Sequence, residues 1–84
     1  MELDALAETE AGQKWVVEVK WRNKRAGPKE LEALHQKAQA HRAQPWLISR
    51  AGFTGEALGY ARRHQILVSD GAAVDALALL LGTQ

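Results

Sequence analysis

The sequence contains no cysteine, so neither disulfide bonds nor thiolate metal ligands can support its fold. No apolar run approaches the roughly 18 residues that a membrane-spanning helix needs. The N-terminal segment is acidic, unlike the basic and apolar start of a secretory signal peptide. These absences predict a soluble, intracellular protein, which we place in the cytoplasm without a membrane partner.

The composition is that of a small globular protein. Hydrophobic residues make up 46% and charged residues 25% of the 84 residues, a balance unlike that of disordered chains. This length lies near the lower limit for one stable hydrophobic core. We therefore expect a single domain over residues 1–84, which could itself be a piece of a larger protein.

Hydrophobic periodicity and capping residues predict the element order β-β-α-β-α-β-α. The first two strands, ELDALAE and KWVVEVKW, are joined by the turn-forming segment TEAGQ and should pair antiparallel. The remaining elements are a helix from Pro28 to about Arg42, a strand over 45–49, a helix capped by Thr54 and ending near His64, a strand over 65–69, and a helix capped by Asp70 with Gly82 past its end. Strands separated by helices predict parallel crossovers, hence a mixed α/β sheet with helices on its faces.

The strand KWVVEVKW has two unlike faces. Trp15, Val17, Val19 and Trp21 alternate along one face, a spacing typical of a buried core, and Trp46 enters another apolar strand. The opposite face carries an acid and a base at positions 18 and 20.

Three charged residues are expected to converge on that second face. In a simple hairpin register, Asp4 comes beside Glu18 or Lys20, which gathers two carboxylates and an ammonium. Nearby carboxylates repel each other unless a positive charge lies between them, and Mg²⁺ prefers such oxygen ligands. The pattern therefore indicates a metal site for phosphodiester hydrolysis, or else a cross-strand salt bridge on a half-exposed sheet face.

Three segments, ELDALA, GQKWVVEVKWRNKRAGPKELEALHQKA and PWLISRAGFTGEALGYARRHQILVSDGAAVDAL, carry a family resemblance. Together they resemble the Mrr-type branch of the restriction-endonuclease-like nucleases, the PD-(D/E)xK group. The resemblance extends from Asp4 to Leu81. It implies a restriction-endonuclease-like mixed sheet and a metal-dependent DNA endonuclease domain.

The same resemblance implies roles for individual residues. Asp4 and Glu18 would be the metal-binding acids, with the backbone carbonyl of Val19 as a further metal ligand. Lys20 would be the catalytic lysine, and Gln36 on the following helix would face the catalytic site. The implied cofactor is Mg²⁺, with Mn²⁺ able to substitute.

Double-stranded DNA is the implied partner, and the charge distribution suggests where it binds. Five cations and no anions lie between positions 20 and 29, although the net charge is only +1. Such a local excess attracts phosphates, but it is equally compatible with a solvated loop. The predicted DNA-binding residues are Arg22, Lys24, Arg25, Lys29 and, at a strand end beside Ser49, Arg50.

The sequence departs from the family pattern at its start. Family members have a helix before the hairpin, whereas this sequence begins at the hairpin. An uncovered sheet would expose an apolar surface, so we expect a homodimer. Two other functions stay open: a non-catalytic DNA-binding or assembly module of the same fold, and a nuclease that resolves Holliday junctions.

The three histidines do not indicate a metal site. None of the pairs formed by His35, His41 and His64 has the i, i+4 spacing that places two ligands on one helical face. His35 falls on the apolar stripe of its helix, where we expect a core histidine.

Overall fold

A computed structural model of the protein describes residues 2–80. Its elements follow the predicted order: β1 (Glu2–Glu8), β2 (Lys14–Lys20), α1 (Pro28–Ala40), β3 (Gln44–Ser49), α2 (Gly55–His64), β4 (Leu67–Asp70) and α3 (Gly71–Leu80). Leu81 and Gly82, which enter the prediction for the last helix, lie outside the described residues. None of the helices in residues 2–80 is both long and apolar enough to span a membrane.

The first two strands form the predicted antiparallel hairpin. Its turn closes through a 2.8 Å hydrogen bond in which the Thr9 N–H donates to the Gln13 carbonyl. Gly12 has a φ of 87°, a conformation that glycine adopts without steric cost. The resulting register sets Asp4 directly opposite Glu18.

The four strands form one mixed sheet in the order β1-β2-β3-β4. The β2–β3 and β3–β4 pairs are parallel, as the intervening helices require. Both crossovers advance in the same direction across the sheet. Crossover connections between parallel strands are almost always right-handed, so α1 and α2 lie on the same face of the sheet. We call this covered face the inner face and the opposite one the outer face.

The hydrophobic core lies between the inner face and the two helices. Val16 and Leu47 from the sheet pack there with residues of α1 and α2, among them Leu31, Leu34 and Ala57, which are fully buried. The prediction that the Trp15–Trp21 face forms the core is wrong, because those side chains belong to the outer face and are only half-buried.

The outer face is nevertheless apolar over three strands. Trp15 and Trp46 meet edge to face at 6.3 Å, and the Trp46 indole donates to the Ser69 hydroxyl at 3.0 Å. Leu67 leaves 45% of its surface exposed. Trp46 is therefore half-buried on an outer face and is not the core residue that its apolar strand suggested.

The predicted helix starts are confirmed by their caps. Thr54 Oγ1 accepts a 3.1 Å hydrogen bond from the Ala57 N–H at the start of α2. Asp70 Oδ1 accepts one of 2.8 Å from the Ala73 N–H at the start of α3. At α1, Pro28 follows the N-cap residue Gly27 as predicted.

Candidate active site

The inner face of the hairpin carries the three charged residues that the sequence singled out. Asp4 and Glu18 are cross-strand partners, and Lys20 follows Glu18 by two positions on the same face. Side chains in such a pair stand about 5 Å apart at Cβ, close enough to share one cation. All three residues therefore share the inner face of the hairpin, and their convergence on one cation stays a prediction.

Glu18 and Lys20 form an ion pair beneath α1. The Lys20 ammonium lies 2.8 Å from Oε2 of Glu18, and the side chains of Lys20 and Glu18 leave only 10% and 12% of their surfaces exposed. Burying charged groups is costly unless they are paired closely. The pair is therefore unlike a surface salt bridge, although Asp4 at the other end of the site leaves 54% of its side chain exposed.

A second carboxylate supports Lys20 from the first turn of α1. Oε1 of Glu30 lies 3.7 Å from the Lys20 ammonium and is paired with the Arg22 guanidinium. The other oxygen, Oε2, accepts a 2.8 Å hydrogen bond from the Gly27 N–H, half of a capping box. Glu30 thus caps the start of α1 and also holds the side chains of Lys20 and Arg22.

Lys37, two helical turns after Glu30, reaches the other end of the site. Its ammonium lies 2.9 Å from Oδ2 of Asp4 and 4.0 Å from Oε1 of Glu18. The hydrogen bond to Asp4 is the main cause that raises the pKa of Lys37 above its usual value. An adjoining pocket of about 180 Å³ is lined by Asp4, Ala5, Leu6, Val16, Lys37 and His41.

The site is therefore a row of alternating charges that crosses from β1 to the loop before α1. In order, the row consists of Asp4, Lys37, Glu18, Lys20, Glu30 and Arg22. Sequence reasoning missed Lys37 and Glu30. The available signal was their spacing, since residues seven apart on a helix share a face, here the face that also carries the buried Leu34.

Most of the predicted DNA-binding cations lie at the Arg22 end of this row. They border a groove of about 440 Å³, lined by Arg22, Lys24, Arg25, Gly27, Pro28, Lys29, Glu30 and Thr54. Glu30 lines this groove and is also part of the charged row, so the groove is continuous with the row. This placement is compatible with a phosphate backbone that runs from the groove towards Glu18 and Asp4.

Comparison with known proteins identifies the family. The model of the Mrr catalytic domain family, described as "Restriction endonuclease", matches residues 2–78. The chain belongs to this Mrr-type restriction endonuclease family. The match covers the whole charged row, so the resemblance seen in the motifs is confirmed.

A solved structure supports the same fold for the Mrr-type domain. The apo structure of EndoMS superposes with a TM-score of 0.68 at 15% sequence identity. The alignment covers 80% of this chain and 31% of the EndoMS chain, so the Mrr-type domain corresponds to less than a third of that protein. At this identity the likeness establishes the restriction-endonuclease-like fold alone. None of the curated proteins matches the chain.

The oxygen ligands available in the Mrr-type domain fit a hard divalent cation that takes only part of its ligands from the protein. Asp4 and Glu18 each place a carboxylate oxygen within 4.0 Å of the same cation, the Lys37 ammonium. Among the residues that the structure describes, no cluster of three or more His, Cys, Asp or Glu could enclose a metal. Mg²⁺ tolerates such a site, since it keeps waters and often takes only one or two carboxylates.

The other predicted site residues lie in different surroundings. Gln36 is exposed and borders a groove with Lys29, Glu32 and Ala33, which is separate from the pocket that Asp4 and Lys37 line. Val19 adjoins both Glu18 and Lys20 in β2, and its role through the backbone carbonyl stays a prediction.

The two residues at the end of β3 differ from each other. Arg50 is exposed and lies over the Trp21 ring at 5.9 Å. Ser49 is fully buried, and its hydroxyl donates to the Gly52 carbonyl at 2.8 Å. The Ser49 side chain is therefore closed off from DNA, whereas that of Arg50 is accessible.

Proposed function

We propose that this Mrr-type domain is a metal-dependent endonuclease that hydrolyses phosphodiester bonds in double-stranded DNA. The observation that carries the proposal is the buried Glu18–Lys20 pair with Asp4 opposite Glu18, in a chain of a restriction endonuclease family. A salt bridge of no functional use would be easier to place at the surface, where neither charge loses its hydration.

Each of the three residues has a separate task in this proposal. Asp4 and Glu18 bind Mg²⁺, or Mn²⁺ in its place, and the carbonyl of Val19 completes the protein's share of the ligands. When bound, the cation would polarise a phosphoryl oxygen and lower the pKa of a water ligand. Lys20, held between Glu18 and Glu30, presents a fixed positive charge to the phosphate as negative charge develops on it.

DNA is held by the basic groove next to the site. Lys24 and Arg25 are exposed in the loop before α1, and Lys29 lies in the first turn of α1. Their charges attract the backbone independently of base sequence. Arg50, accessible at the end of β3, adds a further phosphate contact in this proposal.

A second copy of the chain is the proposed protein partner. The outer face presents half-buried apolar side chains such as Trp15, Val17 and Ile48 on neighbouring strands. Monomers rarely expose a continuous apolar surface of this kind. Light scattering after gel filtration should give twice the chain mass at micromolar concentration, and a mass of one chain contradicts the dimer.

One observation favours a second function, that of a DNA-binding module without catalysis. Lys37 already supplies Asp4 and Glu18 with a cation, so the charged row is balanced by the protein itself. A domain that had lost its chemistry could retain this row for stability alone. Both functions predict DNA binding, and they differ in whether the wild-type domain cleaves DNA when a divalent metal is present.

Plasmid nicking in the presence of Mg²⁺ or Mn²⁺ tests the proposal. Asp4→Asn, Glu18→Gln and Lys20→Met should each reduce nicking by about a hundredfold or more, the usual loss when one electrostatic catalytic group is removed. Glu8→Gln is the matched control, because Glu8 is an exposed acid on the same strand as Asp4. Nicking that survives all three substitutions removes the proposed site.

A further inference from the structure

The two lysines that contact Glu18 are held very differently. Lys20 is nine-tenths buried and lies between Glu18 and Glu30. Lys37 leaves 42% of its side chain exposed, and its nearest partner, Asp4, is 54% exposed. A contact between two exposed and flexible side chains is worth little free energy and breaks easily. Lys37 is therefore the exchangeable cation of the site, and Lys20 is the fixed one.

The position of the Lys37 ammonium is also specific. It lies within 4.0 Å of one oxygen from each of two carboxylates on neighbouring strands. Any divalent ion shared by Asp4 and Glu18 would need the same region. A divalent ion and an ammonium cannot both occupy it, because they repel each other strongly at such separations.

The two carboxylate oxygens of Glu18 explain why the protein needs a cation there at all. Oε2 of Glu18 faces Lys20, whereas Oε1 lies 4.0 Å from the Lys37 ammonium, which also contacts Asp4. Without a positive charge on this side, Asp4 and Glu18 would repel each other across the hairpin. Lys37 relieves that repulsion while no metal is bound.

We propose that Lys37 is a built-in counter-cation that occupies the position between Asp4 and Glu18 and must leave it when a divalent cation binds. The inference rests on the proposed function, since it assigns Lys37 to the same metal site. Lys37 thereby keeps the two carboxylates together before metal binding and sets how tightly the metal is held. It acts as a positioning residue, distinct from the catalytic Lys20.

Calorimetric titration of the full chain with Mn²⁺ at low ionic strength tests this inference. Lys37→Met retains the length of the side chain and removes its charge, so Mn²⁺ should bind about 5- to 50-fold tighter than to the wild type. Lys14→Met is the matched control, because it removes the same charge from an exposed lysine in β2, four residues before Glu18. It should alter the affinity for Mn²⁺ by less than about twofold. If Lys37→Met binds Mn²⁺ no more tightly than the wild type does, the inference is overturned.

A second measurement does not depend on the folding of Lys37→Met. In wild-type protein with ¹⁵N-labelled lysine side chains, Mg²⁺ should shift the Lys37 Nζ signal over the concentration range in which binding heat is released. Glu18→Gln should abolish both changes. A Lys37 signal that stays fixed while Mg²⁺ binds shows that the ammonium does not leave, which also overturns the inference.

The outcomes separate this inference from the proposed function. If Mn²⁺ binds the wild type through Glu18 but no tighter to Lys37→Met, only the role of Lys37 fails. If Lys37→Met binds Mn²⁺ more tightly and neither protein nicks DNA, the counter-cation role holds and the nuclease proposal fails. If Mn²⁺ binds to neither protein, both fail.

Discussion

The Lys20 ammonium lies 2.8 Å from Oε2 of Glu18, and each of the two side chains also lies within 4.0 Å of a charged side chain of α1. Two residues apart on β2, they share the inner face with the core residue Val16. An acid and a base at the end of a core-forming face are tolerated because each is paired closely with the other and also lies near an opposite charge on α1.

The Glu18–Lys20 pair should be energetically coupled. Glu18→Gln leaves a buried ammonium with the more distant Glu30, and Lys20→Met leaves a buried carboxylate, so each should cost about 1–3 kcal/mol of unfolding free energy. The double variant should cost less than the sum by more than about 0.5 kcal/mol. Urea unfolding of the four proteins measures this coupling, and additive effects would show that the pair does not act as a unit.

Glu30 should stabilise the start of α1. Glu30→Gln weakens the interaction with Arg22 and Lys20 but can still accept a hydrogen bond from the Gly27 N–H, whereas Glu30→Ala removes both. We expect a loss of about 1 kcal/mol for Glu30→Ala and a smaller loss for Glu30→Gln, measured by urea unfolding. Glu32→Ala, an exposed acid on the same helix, is the control and should change stability little.

The basic groove should bind DNA without reading its sequence. Lys24→Ala and Arg25→Ala should each weaken binding to unrelated duplexes by similar factors and reduce the slope of log K against log salt by about 0.9 for each phosphate that is no longer neutralised. Fluorescence anisotropy at several salt concentrations measures both quantities. Arg62→Ala on the exposed side of α2 is the matched control. Unchanged salt slopes in the groove variants would place the DNA elsewhere.

The Lys37–Asp4 contact should stabilise the fold only while Lys37 is charged. The pKa of Lys37 is raised in the folded protein above its ordinary value of 10.5, mainly by the hydrogen bond to Asp4. The contribution is therefore complete below pH 10.5 and is lost as the pH rises through the folded-state pKa. The free energy of unfolding of the wild type should exceed that of Lys37→Met by at most about 1 kcal/mol, because the pair is exposed. Urea unfolding at several pH values should show this difference becoming smaller above pH 10.5. A difference that is constant with pH contradicts the contact.

Much of this site could be predicted from the sequence because it depends on local rules. The hairpin turn at Thr9–Gln13 fixes the strand register, and the register brings Asp4 to Glu18. The alternation of β2 then puts Lys20 on the same face. Caps such as Thr54 mark where the helices begin, so the element order followed from short-range patterns.

The parts that the sequence missed depend on how α1 lies across the sheet. Alternation along β2 separates two faces but does not say which one the helices cover, so the tryptophan face was mistaken for the core. Lys37 joins the site only because α1 crosses the hairpin near Asp4, a contact between residues 33 positions apart. From the sequence, Glu30 is recognisable only as an acid in the first turn of a helix. Its contact with Lys20 depends on how α1 packs against β2.

Anomalous diffraction at the manganese edge, from crystals grown with millimolar Mn²⁺, tests the central claim most directly. The account predicts one strong anomalous peak within ligand distance of carboxylate oxygens from both Asp4 and Glu18, with the Lys37 ammonium moved away. Crystals of Glu18→Gln should lack this peak. A wild-type crystal without a peak between those two carboxylates, or with its peak at other residues, would contradict the assignment of a nuclease metal site to this hairpin.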